Sequence, residues 1–158
     1  LAGMNVADLY ELTPDNIQWD KLCYHRAKTK GKRSDKAYME VSIPPQAMEA
    51  LARLTEGARD GYLLNLSARY YDRHSCTSYI SRGIAKLCKE AGLPPMTSYA
   101  LRHSWATIAR NEVGASEENV AFALNHISAH KVTDRYIRKD YARVDKLNAE
   151  VVKLVLGG

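Results

Sequence analysis

Cysteine is scarce: Cys23, Cys76 and Cys88 lie far apart in 158 residues and form no Cys-x-x-Cys pair. So few thiols exclude a disulfide framework and point to reduced, structural cysteines in a cytoplasmic protein. The five histidines add no ligand-like spacing, so neither a metal nor a cofactor is expected. No apolar run approaches the roughly 18–20 residues needed to span a bilayer, which argues against a membrane partner. Residues 1–12 carry acids and lack the basic start of a signal peptide. A Gly-x-x-x-x-Gly-Lys phosphate loop is also missing, and with it any sequence support for ATP-driven chemistry. Repeats and low-complexity linkers are absent, so residues 1–158 read as one domain. The chain opens at Leu-Ala-Gly-Met-Asn without an initiator methionine, and we read it as the C-terminal domain of a longer protein.

What is present is a basic, ordinary globular composition. Net charge is +5, with 46% hydrophobic and 26% charged residues. The excess of Lys and Arg favours a polyanionic partner.

Apolar periodicity predicts a mainly α protein with a small antiparallel β-sheet. A first helix covers residues 5–12, with Val6, Leu9, Tyr10 and Leu12 at near-helical spacing, and is ended by Thr13-Pro14-Asp15. Strands are expected within residues 16–27 and over residues 38–43, where Met39, Val41 and Ile43 alternate with polar neighbours. Between them, residues 28–36 form a lysine-rich turn. Pro44-Pro45 starts a helix to about Glu56. Another covers residues 77–91, with Tyr79, Ile80, Gly83, Ile84, Leu87 and Cys88 on its stripe and Gly92 as C-terminal cap. Thr97 or Ser98 caps the next helix, where Leu101, Trp105, Ile108 and Ala109 share a face and Arg102 lies beside it. Ser116 caps a short helix to Leu124. A last helix, residues 144–156, carries Val144, Leu147, Val151, Leu154 and Val155 on one side.

Three residues near helix mouths combine into a chemistry. Arg102 offers a guanidinium fork for phosphate, His126 titrates near neutral pH, and the Tyr136 hydroxyl can attack phosphorus. Each has an ordinary alternative: a solvated helix arginine, a capping histidine, one of ten tyrosines. His130 and Tyr141 compete for the last two roles.

Leu101-Arg102-His103-Ser104-Trp105-Ala106-Thr107 resembles the second box of the tyrosine recombinases, or phage-type integrases. Leu124-Asn125-His126 is similar to their Leu-Gly-His box, and Tyr136 follows His126 by ten residues, close to the family spacing. Gly3-Met4-Asn5-Val6-Ala7-Asp8-Leu9 resembles the box around the first catalytic arginine. The style of these boxes is similar to integrases of mobile elements in Bacteroides-like bacteria.

The resemblance implies the catalytic-domain fold of that family and site-specific recombination of double-stranded DNA. Tyr136 would be the nucleophile, leaving a 3′-phosphotyrosyl link and a free 5′-hydroxyl. Arg102 would clamp the non-bridging oxygens and His126 would hydrogen-bond the same phosphate. Lys28, or alternatively Lys30, would be the hairpin lysine that protonates the leaving oxygen. Lys30, Lys32, Arg33 and His103 would touch DNA. Partners would be other protomers, in a tetramer joined by exchange of the C-terminal segment.

Two positions depart from the family pattern. Asn5 stands where the first arginine belongs and supplies no cation; Tyr99 stands where the second box has a histidine. The departures raise a second reading, a DNA-binding module with impaired catalysis. A type IB topoisomerase, which uses similar residues, is a third.

Overall fold

The computed structural model describes residues 1–126 and 139–157. Helix α1 (Val6–Tyr10) leads into a three-stranded antiparallel sheet, β1 (Ile17–Gln18), β2 (Lys21–His25) and β3 (Tyr38–Ser42), paired in chain order. The register sets Leu22 opposite Val41 and Tyr24 opposite Met39. These four side chains are buried, as period-2 alternation demands of strands with one face on a core. Helices α2 (Pro45–Thr55), α3 (Leu66–Arg69), α4 (Arg73–Glu90), α5 (Ser98–Asn111), α6 (Glu117–Ala123) and α7 (Ala142–Leu156) complete the described fold. The expectation of a mainly helical protein with one small sheet is borne out.

One hydrophobic cluster joins the two parts. Leu22, Met39 and Val41 of the sheet meet Cys76 of α4, Trp105 and Ala109 of α5, and Val144, Leu147 and Val151 of α7. A polar tie runs through it at Asn148, whose Oδ1 accepts from the Ala2 amide at 2.9 Å and from Trp105 Nε1 at 3.1 Å. Helix ends follow their sequence signals: Asp72 accepts from the Ser75 amide to cap α4, and Ser116 accepts from the Asn119 amide to cap α6. Gly92 closes α4 at a φ of +68°, in the left-handed region that costs glycine nothing.

Several expectations are corrected. Helix α4 starts at Arg73, a turn before residue 77, and Tyr79 and Leu87 are exposed; its buried positions are Cys76 and Cys88. In α7, Leu154 and Val155 are exposed beyond the buried Val144, Leu147 and Val151. The four-residue α3 was not anticipated, being too short for periodicity to register. The largest change concerns α5, where Leu101 is 52% exposed and Arg102 is 5% exposed. The buried residues are Arg102, Trp105 and Ala109, so Trp105 and Ala109 are buried as expected while Arg102 replaces Leu101 and turns the stripe by about 50°. Partners for the guanidinium, described below, offset its desolvation and decide the rotation.

Leu22 is fully buried at the centre of the sheet–helix junction. Leu22→Ala is expected to lower the free energy of unfolding by about 2–5 kcal/mol in urea denaturation, with an unchanged m value.

Candidate active site

Arg102 enters the site from the first turns of α5. Its Nη1 donates to the Gly3 carbonyl at 2.7 Å and its Nη2 donates to the Leu124 carbonyl. Gly3 is required there: it has a φ of +64°, and a Cβ would approach Arg102 Cγ and Leu124 Cδ2 at 3.3 Å. A guanidinium carries five N–H donors, so three remain for a ligand. Burial, and then the neighbouring Arg26, push the Arg102 pKa down from its ordinary value.

Arg26, which lies just past the end of β2, is 6% exposed. Its Nη1 donates to the Asn125 carbonyl at 3.5 Å, so two guanidiniums engage consecutive carbonyls of the turn that ends in His126. The Arg26 Nε is buried and has no hydrogen-bond partner among the described residues. An orphaned donor of this kind costs about 1–3 kcal/mol, more when charged, and an anion oxygen would remove that cost.

Asp8 of α1 is the buried carboxylate facing this pair. It accepts from the Ala27 amide at 2.8 Å, fixing α1 to the loop between Arg26 and Lys28. Burial raises its pKa, while the Ala27 bond, the charges of Arg26 and Arg102 and a hydrogen bond from Asn5 act in the opposite sense. Asn5 itself occupies the N-cap of α1 but makes no side-chain cap bond.

A cleft of about 250 Å³ collects these groups. Asn5, Asp8, Arg26, Lys28, Ser98 and Tyr99 are among its lining residues. A second depression, of about 340 Å³, lies between α5 and α6 and includes His103, Arg110 and His126. Tyr99 of the first packs edge to face on His103 of the second, 4.7 Å between ring centroids. The sequence candidates Asn5, Lys28 and Tyr99 therefore share one cleft and His103 and His126 share the other, while Arg102 lines neither and is buried against the Gly3 and Leu124 carbonyls.

The lysine-rich loop is divided. Lys28 lines the cleft, whereas Lys30 Nζ pairs with Glu11 at 3.2 Å. Lys32 is exposed. Arg33 turns inward to Asp35 and Asn125. Tyr136 and His130 lie outside the described residues. Tyr141, the rival tyrosine, donates its hydroxyl to the Tyr38 carbonyl at 3.0 Å. Burial and then the charge of Glu40 push its pKa up to about 12, a poor state for a nucleophile. No group of three or more metal-ligating side chains occurs among the described residues.

Sequence reading overlooked Arg26 and Asp8. The signal for Arg26 was its place two residues before Lys28, at the end of a strand already expected to carry the hairpin lysine. Asp8 could be found only through the Ala27 amide that it holds, 19 residues away.

His126 is pushed below its ordinary pKa, first by desolvation and then by Arg102, Arg26 and Lys28. It is therefore neutral near pH 7 and accepts protons. A depressed folded pKa means the unfolded chain binds the proton first, so the His126 contribution to stability is present above about pH 6.5 and fades as pH falls through the folded pKa. NMR titration of the His126 ring is expected to give a value below 6.5, shifting upward in Arg26→Met as one cation is removed.

No curated protein and no solved structure matches the chain. A family model does: the phage integrase family matches residues 1–143. That span holds the Gly3–Leu9 box, the Arg102 helix and the turn before His126, and a match over most of the chain shows that this protein belongs to the phage integrase family, a class of DNA recombinases.

Proposed function

We propose that the chain cuts and rejoins DNA at specific sites through a covalent phosphotyrosine, as a recombinase that integrates or excises a mobile element. The orphaned, buried Arg26 Nε beside Arg102 is the observation that supports this best. Arg26 lines the same cleft as the exposed Lys28, and its Nε has no partner among the described residues.

The scissile phosphate occupies that cleft. Arg102 and Arg26 donate to its non-bridging oxygens, and Arg26 supplies the cation that Asn5 lacks. Tyr136 Oη forms a bond to phosphorus while the bond from phosphorus to O5′ breaks. The phenolic proton passes to neutral His126, and O5′, which keeps the electron pair of the broken bond, takes a proton from Lys28 Nζ. Tyr99 donates a hydrogen bond in place of an imidazole. Reversal with a new 5′-hydroxyl rejoins the strand. The phosphotyrosine stores the bond energy, so the cycle consumes no nucleotide. Exposed Lys32 and His103 contact the double-stranded DNA backbone, and the active assembly is a tetramer on two sites.

Asn5 favours a second reading, a module that binds DNA without cutting it. A nicked duplex, which traps the covalent adduct by losing the 5′-fragment, separates the two. An adduct with the native protein that disappears in Tyr136→Phe supports the recombinase; tight binding without adduct supports the inert module. In the same assay Arg26→Ala is expected to slow adduct formation by about 10²–10³, with DNA affinity changed far less.

A further inference from the structure

The hairpin loop that carries Lys28 is not held only by its own strands. Asp35 accepts Arg33 Nε at 2.8 Å and Arg33 Nη2 at 2.6 Å, a two-point fork, and also the Ala37 amide at 3.0 Å. Its Oδ2 takes a further bond from Lys139 Nζ, 104 residues away. The other side of the Arg33 fork reaches the turn before His126: Nη1 donates to Asn125 Oδ1 at 2.7 Å and to the Asn125 carbonyl at 3.1 Å. Asn125 Nδ2 then donates to the Ala37 carbonyl at 2.7 Å, closing the ring. Asn125 adopts a φ of +54°. Asparagine tolerates that left-handed conformation, and here its side chain adds two cross-links that a glycine would omit.

These bonds are partly sheltered, with side-chain exposures of 14% for Arg33, 30% for Asp35 and 31% for Lys139. Burial alone would raise the Asp35 carboxyl, but hydrogen bonds from Arg33, Lys139 and Ala37 hold it well below the usual carboxylate range. One carboxylate thus joins three segments: the loop after β2, the turn before His126, and Lys139 ahead of α7.

We propose that Asp35 is a positioning residue for strand cleavage, fixing the Lys28 hairpin against the His126 turn through Arg33 and Asn125. The inference rests on the recombinase reading above, in which Lys28 protonates the leaving oxygen. A proton donor works only when held within hydrogen-bond reach of its acceptor. Asp8 at the Ala27 amide and Glu11 at Lys30 tie the loop to α1 on one side, but neither ties it to the His126 turn. The Asp35 clasp restricts it relative to the phosphate-binding side of the site.

The test compares two nicked substrates in single-turnover cleavage, one with the natural bridging 5′-oxygen and one with sulfur in its place. A thiol is far more acidic than an alcohol, near 8.5 for a free cysteine, so sulfur leaves as thiolate without a proton. Asp35→Asn is expected to slow cleavage of the oxygen substrate at least ~10-fold. The sulfur substrate should be cut within about threefold of the native rate, and Lys28→Ala should show the same pattern. Lys139→Gln, which removes one arm and leaves the Arg33 fork, should show a smaller effect of the same kind and serves where Asp35→Asn folds poorly by melting temperature. An unchanged rate on oxygen, or an equal loss on both substrates, overturns the inference. Absence of any adduct from the native protein with either substrate instead overturns the recombinase reading, a result visible before any Asp35 variant is compared.

Discussion

Two guanidiniums share one turn. Arg102 and Arg26 each engage a carbonyl, of Leu124 and Asn125, and both are almost completely buried. Like charges confined at low dielectric repel by kilocalories unless dipoles and opposite charges surround them. The neighbourhood is arranged to supply these. The Gly3 carbonyl takes a second Arg102 donor, and Asp8 places its carboxylate within the field of both cations. Asp8 is in turn fixed by the Ala27 amide, which ties α1 to the strand end that delivers Arg26. The rotation of α5, the glycine at position 3 and the entry of the chain into α1 all follow from housing this pair. The surplus positive charge that remains is the physical basis for reading the cleft as a phosphate site.

Much of this was legible in the sequence, and the reasons differ from element to element. Met39 and Val41 declared their strand because one face meets a core and period 2 follows directly. Caps at Ser116 and Gly92 were readable because their chemistry is local. Helix α5 was placed correctly but turned wrongly: hydropathy ranks Leu101 above Arg102 for burial, and no local pattern encodes carbonyl partners 22 and 99 residues away. The same blindness hid Arg26. A lysine-rich loop reads as solvated throughout, yet its cations are assigned individually, Lys30 to Glu11 and Arg33 to Asn125, by residues that lie elsewhere in the chain.

The division of labour among those cations gives the site its character. Lys28 and Lys32 remain accessible for a polyanion, while Arg33 holds structure together. Two arginines recessed beneath a turn differ from a basic patch: a patch attracts any phosphate, whereas recessed forks present donors in fixed directions. On the proposed reading, the donors of Arg102 and Arg26 left over from these carbonyls are directional in the same way, and favour a phosphate set in one place by the surrounding protein.

The bond from Arg102 to Gly3 spans 99 residues, and that from Ala2 to Asn148 spans 146. Contacts of such separation form only when most of the intervening chain has already condensed, because long loops carry the largest closure entropy and organise slowly. The surroundings of Arg102 are thus assembled from segments at both ends of the described chain. A partly folded copy retains its lysines but lacks the alignment of Arg102 and Arg26 against the Leu124 and Asn125 carbonyls. On the recombinase reading proposed above, the capacity to break a strand belongs to the native state alone, because only there do these distant segments bring the two guanidiniums to one turn.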